Sequence, residues 1–171
     1  MDNPLIFFAI IIAIVIIAIL MPRWIGRSTR AAGSRTGRRF EDRERERTLH
    51  ELGTTIVIHA PASVAREIVD EVVRRQPRKF TVLGDRGYGI RFVEEDDAIA
   101  RLAPDPDGTR LQIEQSREHL GMPKGARFWK DLRDRVASEA GAREISVAEG
   151  VRNGFRSDGG RPAVWGRAED E

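Results

Sequence analysis

Apolar and polar positions alternate in three different rhythms along the chain, and each rhythm predicts a different kind of element. From Leu5 to Met21 there is no alternation: seventeen consecutive side chains are apolar. Such a run is too long and uniform for a strand, and in lipid only a helix satisfies its own backbone. At ~1.5 Å rise per residue it measures roughly 26 Å, close to the ~30 Å of a hydrocarbon core. A transmembrane helix with a short outer tail is therefore predicted over 1–25. Leu5, Phe8, Ile12, Val15, Ile19 and Met21 lie within the span, and Trp24 lies at the interface. A cleaved signal peptide needs a basic start and a small-residue cleavage site. The sequence opens instead with Met1-Asp2-Asn3-Pro4 and leaves the run through Pro22-Arg23-Trp24.

Residues 26–47 have almost no aliphatic content and predict a juxtamembrane linker. Arg23, Arg27, Arg30, Arg35, Arg38 and Arg39 precede the first acid after the run, Glu41. Only Asp2 is charged on the other side. The positive-inside rule then places the N-terminus outside the cell membrane and everything after the span in the cytoplasm. The same six arginines are expected to contact anionic lipid, each gaining about 1 kcal/mol at low screening. Residues 41–47, Glu-Asp-Arg-Glu-Arg-Glu-Arg, suit a solvated helical turn or stalk.

A soluble α+β domain is expected over 48–149. Thr54–His59 is β-rich, with Ile56 and Ile58 on one face. Pro61 suits a helix start, and Val64, Ala65, Ile68, Val69, Val72 and Val73 form a helical stripe until Pro77 stops it. Period-two alternation returns at Phe80 and Val82, at Tyr88, Ile90 and Phe92, at Ala98–Leu102, and at Leu111 and Ile113 as a half-solvated strand. Pro104-Asp105-Pro106-Asp107-Gly108 marks a turn. Phe128, Leu132, Val136 and Ala140 set out a closing helix, with Gly141 at its end and Ile145 and Val147 as a short last strand. The expected order is β-α-β-β-β-β-α: an antiparallel sheet with both helices on one face. Residues 150–171 read as a disordered tail rich in Gly, Arg and acid.

Composition narrows the chemistry. The 171 residues include no cysteine, which excludes disulfides, thiolate metal sites and a Cys nucleophile. The formal net charge is +2, and lysine occurs only at Lys79, Lys124 and Lys130. His50, His59 and His119 have no ligand spacing and no evident triad. Gly84-Asp85-Arg86-Gly87-Tyr88-Gly89 joins two strands, so a hairpin turn is expected rather than a phosphate cradle. Glu94-Glu95-Asp96-Asp97 lacks calcium-loop spacing and reads as a solvated turn. No catalytic residue, metal or cofactor is predicted. Leu120, Met122 and Trp129 are the candidate partner or ligand contacts.

The run Ile56-Val57-Ile58-His59-Ala60-Pro61-Ala62-Ser63-Val64 resembles the opening of the helix-grip superfamily of START and polyketide-cyclase type. The segment around Phe128-Trp129-Lys130-Asp131-Leu132 is similar to that family's closing helix. The resemblance covers 54–141 and implies a hydrophobic small-molecule or lipid ligand. The element order also resembles one half of the TATA-binding-protein fold. The leading expectation is a non-enzymatic, single-pass, membrane-anchored cytoplasmic module that binds a protein partner or the membrane surface. Expected partners are the bilayer, then a membrane protein complex or a hydrophobic ligand. Nucleic acid binding through the arginine segments ranks last.

Overall fold

The computed structural model describes residues 40–160 and 163–168. The apolar run Leu5–Met21 and the arginines from Arg23 to Arg39 lie outside the described residues. Among the described residues, no helix is long and apolar enough to cross a membrane. The chain divides into two units, Met1–Glu44 and Arg45–Glu171. Apart from residues 40–44, the described elements belong to the second.

Helix α1 covers 40–53 among the described residues and leads into β1 (Ile56–Ile58) and α2 (Ala62–Arg74). The strands β2 (Phe80–Val82), β3 (Tyr88–Ile90), β4 (Ala98–Asp105), β5 (Gly108–His119) and β6 (Met122–Pro123) follow. Then come α3 (Ala126–Ala142), β7 (Val147–Glu149), β8 (Phe155–Ser157) and β9 (Val164–Arg167). Every strand pairing is antiparallel, in the order β2-β3-β4-β5-β1-β7. The expected α+β class and antiparallel sheet are therefore present, but α1, β6 and the strands after α3 are additions to the expected order β-α-β-β-β-β-α.

Twelve-residue β5 organises the sheet. On one edge it pairs with β4 and then, at Glu118 and His119, with β6. On the other it pairs first with β1 at Thr109–Leu111, then with β9 at Gln115–Arg117. Leu111 and Ile113 point into a single core with Ile56, Ile58, Ile90, Ala98 and Ala100. Helices α2 and α3 cover that face, α2 through Ala65, Ile68, Val69, Val72 and Val73. Full burial of each such Val or Ile side chain is worth about 1.5–3 kcal/mol.

Three expectations need correction. The closing helix buries Trp129, Leu132, Val136 and Ala140, leaving Phe128 at the margin. At 100° per residue, Phe128 and Ala140 are roughly 120° apart around the helix, whereas Trp129 and Ala140 differ by roughly 20°. A spacing of four throughout drifts off the stripe. Next, Gln112 is buried rather than solvated, because the Asn153 Nδ2 donates to its Oε1 at 3.0 Å. Finally, the segment expected to be a disordered tail carries β8 and β9. The β9 strand hydrogen-bonds to β5, and the Glu118 amide donates to the Ala163 carbonyl at 2.7 Å. An uncovered edge on so long a strand would leave a row of unpaired backbone groups, and this hairpin covers it.

Candidate functional site

The loop after β3 is built around one carboxylate. Asp97 is buried, and its Oδ2 accepts from the amides of Phe92, Val93 and Glu94 at 3.0, 2.5 and 2.8 Å. Three successive amides drawn onto one oxygen curl the backbone tightly. Strand β3 therefore ends at Ile90, and Phe92 leaves the inward face that alternation predicts for it. Phe92 and Val93 are instead 49% and 58% exposed. The loop folds back over β3 at Gly89, where an added Cβ would lie 2.1 Å from the Glu95 carbonyl oxygen. Only glycine permits that approach.

The neighbouring acids are consumed locally. Asp96 pairs with Arg117 at 2.7 Å, and Glu95 pairs with Arg91. The run Glu94–Asp97 is thus a turn, as expected, with Glu94 and Glu95 exposed and only Asp97 buried within it. Lys124 places its ammonium 5.2 Å from the centre of the Phe92 ring. Phe92 meets Phe128 at 6.4 Å between ring centres, and Lys79 lies 5.9 Å from the Phe128 ring. Exposed cation–ring contacts of this kind contribute about 0.5–1 kcal/mol each.

The β5–β6 hairpin ends beside this loop. His119 pairs with Met122, so Leu120 and Gly121 alone make the turn. Both have positive φ, 52° and 79°, as a type I′ turn requires. Asn-Gly is the favoured pair there, and a leucine in that conformation costs about 1–2 kcal/mol. Leu120 is 90% exposed. The Gly121 carbonyl accepts from Arg45 Nη2 at 3.1 Å, so a side chain of α1 reaches the tip. The turn is four residues from Lys124, about 13 Å along an extended strand.

Among the predicted contacts, Leu120 is at this tip and Met122 is half-buried beside it. Trp129 lies in the core. It is fully buried, and its Nε1 donates to the Thr54 carbonyl at 2.9 Å. The sequence reading missed Val93 and the display of Phe92. Their signal was the acid run directly following them.

Two other features were singled out from sequence. Gly84–Arg86 forms a single 3-10 turn between β2 and β3, as expected of a hairpin. It borders a cleft of about 270 Å³ with Arg66, Asp70, Tyr88 and Arg101. There the Tyr88 hydroxyl donates to Asp70 Oδ1 at 2.8 Å, and burial with this carboxylate holds the phenol well above its usual pKa. Trp129, Leu132 and Val136 of α3 lie in one buried cluster with Ile58 and Ile113. His50, His59 and His119 lie on α1, after β1 and at the end of β5. Among the described residues, no group of three or more acids and histidines is arranged to hold a metal ion. No protein-family model, curated protein or solved structure matches the chain.

Proposed function

We propose that this protein is a non-enzymatic, single-pass membrane module. In this reading its cytoplasmic domain docks on the inner bilayer surface through Leu120, Phe92 and Val93. One observation supports it: three exposed apolar side chains stand on the β5–β6 turn and on the loop that Lys124 and Arg117 join to that hairpin. Two of them are displayed by a buried carboxylate and the third by a strained turn. The Leu120 conformation costs the fold about 1–2 kcal/mol, so its display is not a by-product of stability.

The magnitudes are consistent with docking in place. Leu120, Val93 and half of Phe92 entering the interface gain on the order of 4 kcal/mol, a dissociation constant near 1 mM for a free domain. Only 23 residues, Pro22–Glu44, separate Met21 from Arg45. A tether of that length supplies millimolar effective concentration, so the domain docks and releases readily. Lys124 and Arg45 beside the apolar tips favour an anionic leaflet.

The absence of cysteine makes the test direct. Full-length Leu120→Cys carrying an environment-sensitive fluorophore is reconstituted in phosphatidylcholine and phosphatidylserine vesicles. The expected result is a blue shift and quenching by lipid-borne quenchers, with neither seen for Asp107→Cys at the far end of β5. Equal spectra at both positions would sink the proposal. So would a shift that appears only when membrane proteins are added, which points to a protein partner. Turnover of a substrate by the purified protein would remove its non-enzymatic part.

A further inference from the structure

A second site lies on the opposite face of the sheet, away from the apolar tips. The segment 150–154 crosses this face and is fastened at every step. The Gly150 amide donates to the Thr55 carbonyl at 3.1 Å, and Thr55 Oγ1 donates to the Val151 carbonyl at 2.9 Å. The Asn153 amide donates to the Gly53 carbonyl at 2.9 Å, and the Ala168 amide to the Gly154 carbonyl at 3.0 Å. Between this segment, the end of β9 and β5 lies a cleft of about 400 Å³ bordered by Arg110, Arg152 and Arg167.

Two of the three guanidinium groups are already oriented. Arg110 Nε donates to Asp105 Oδ2 at 2.8 Å, which leaves its Nη1 without an acceptor among the described residues. Arg110 holds the Asp105 carboxyl below its usual pKa, so that brace stays charged. Arg152 Nη2 donates to Glu149 at 3.2 Å, and its Nη1 meets His50 Nε2 at 2.5 Å. Arg167 is exposed and forms no ion pair among the described residues. Among the described residues, three cations against two carboxylates leave one net positive charge around the cleft. Exposed Val151 supplies an apolar wall.

We infer that this cleft binds a phosphorylated small molecule, with Arg167 and Arg152 on the phosphate and Val151 against the body of the ligand. Guanidinium forks match phosphate oxygens in pairs, and braced ones lose little freedom on binding. The volume exceeds that of inorganic phosphate and falls within the ~300–1,000 Å³ of small-molecule sites. From Arg110 to Leu120 is ten residues of one strand, roughly 33 Å. The cleft therefore faces solution when the tips face lipid, and the phosphate is that of a soluble compound rather than a lipid headgroup.

Calorimetric titration of the full chain in phosphatidylcholine nanodiscs with pyrophosphate tests this. Saturable binding is expected at millimolar ligand or below, weakening as salt rises. Arg167→Ala and Arg152→Ala should each weaken it about tenfold or more, as expected for loss of a charge-assisted hydrogen bond. Arg156→Ala, an exposed arginine outside the cleft, should leave it unchanged. Absence of saturable binding, or equal weakening by Arg156→Ala, overturns the inference. Binding to phosphoinositide vesicles or to single-stranded oligonucleotides without binding to pyrophosphate overturns it as well.

Discussion

Single residues of this domain divide between holding the core and displaying the tips. Trp129 holds the core: its indole fills the space under α3 and satisfies the Thr54 carbonyl. Trp129→Phe removes volume and leaves that carbonyl buried without its donor. The expected loss is about 2–3 kcal/mol, read as a lower urea midpoint by circular dichroism. Leu120 does the reverse. Replacing it with asparagine, which tolerates positive φ, should raise stability by about 0.5–1 kcal/mol. The same Leu120→Asn change, followed in vesicles by a fluorophore at an introduced Phe92→Cys, should weaken the lipid signal. A substitution that stabilises the fold while weakening docking separates display from structure. Unchanged lipid contact in that variant would count against the docking role.

At the scale of elements, the hairpin of β8 and β9 bears most directly on the integrity of the sheet. Asp158 closes its turn by accepting from the amides of Gly160 and Val164, each at 2.9 Å. These amides hold the Asp158 carboxyl below its usual pKa. A chain ending at Gly150 uncovers β5 along Gln115–Arg117. The Glu118 amide should then lose its hydrogen-exchange protection, and the protein should self-associate in size-exclusion chromatography through the bare edge. A monomeric truncation with a protected Glu118 amide would show that the hairpin is dispensable. The hairpin was hidden in the sequence because its strands are only three and four residues long and are flanked by Gly, Arg and acid. Local composition there matches a solvated tail, and only the free edge of β5 gives those residues a partner. The α2 stripe, by contrast, was legible because its apolar positions keep to one face for thirteen residues.

For the whole molecule, the ion pairs joining α2 and its following loop to α3 set the response to acid. Arg75 bonds Glu139 at 2.7 Å and depresses its carboxyl. Burial tends to raise Asp131, but hydrogen bonds from Lys79 and Arg135 outweigh it and leave the group lowered. Groups depressed in the folded state contribute stability above their unfolded values, here 4.5 for Glu139 and 3.8 for Asp131. That contribution disappears as pH falls through the folded values. The urea midpoint should therefore be nearly level from about pH 7 to pH 5 and decline below about pH 4. A midpoint that rises on acidification would show that these pairs do not stabilise the fold.

What the sequence determined by itself is what periodicity and composition encode locally. These are the unbroken apolar run before the domain, the helical stripe of α2, the alternation in the central strands and the turn at Asp105–Gly108. Each depends only on neighbours a few residues apart, so the pattern is its own evidence. Tertiary structure decided the rest: that Trp129 rather than Phe128 enters the core, that Asp97 is buried to turn Phe92 and Val93 outward, that β9 closes the edge of β5, and that Arg110, Arg152 and Arg167 surround one cleft. Those outcomes join residues far apart in the chain, or reverse a local preference. They arise from long-range pairing, in which a backbone group or a charge takes whatever partner the packed sheet brings to it.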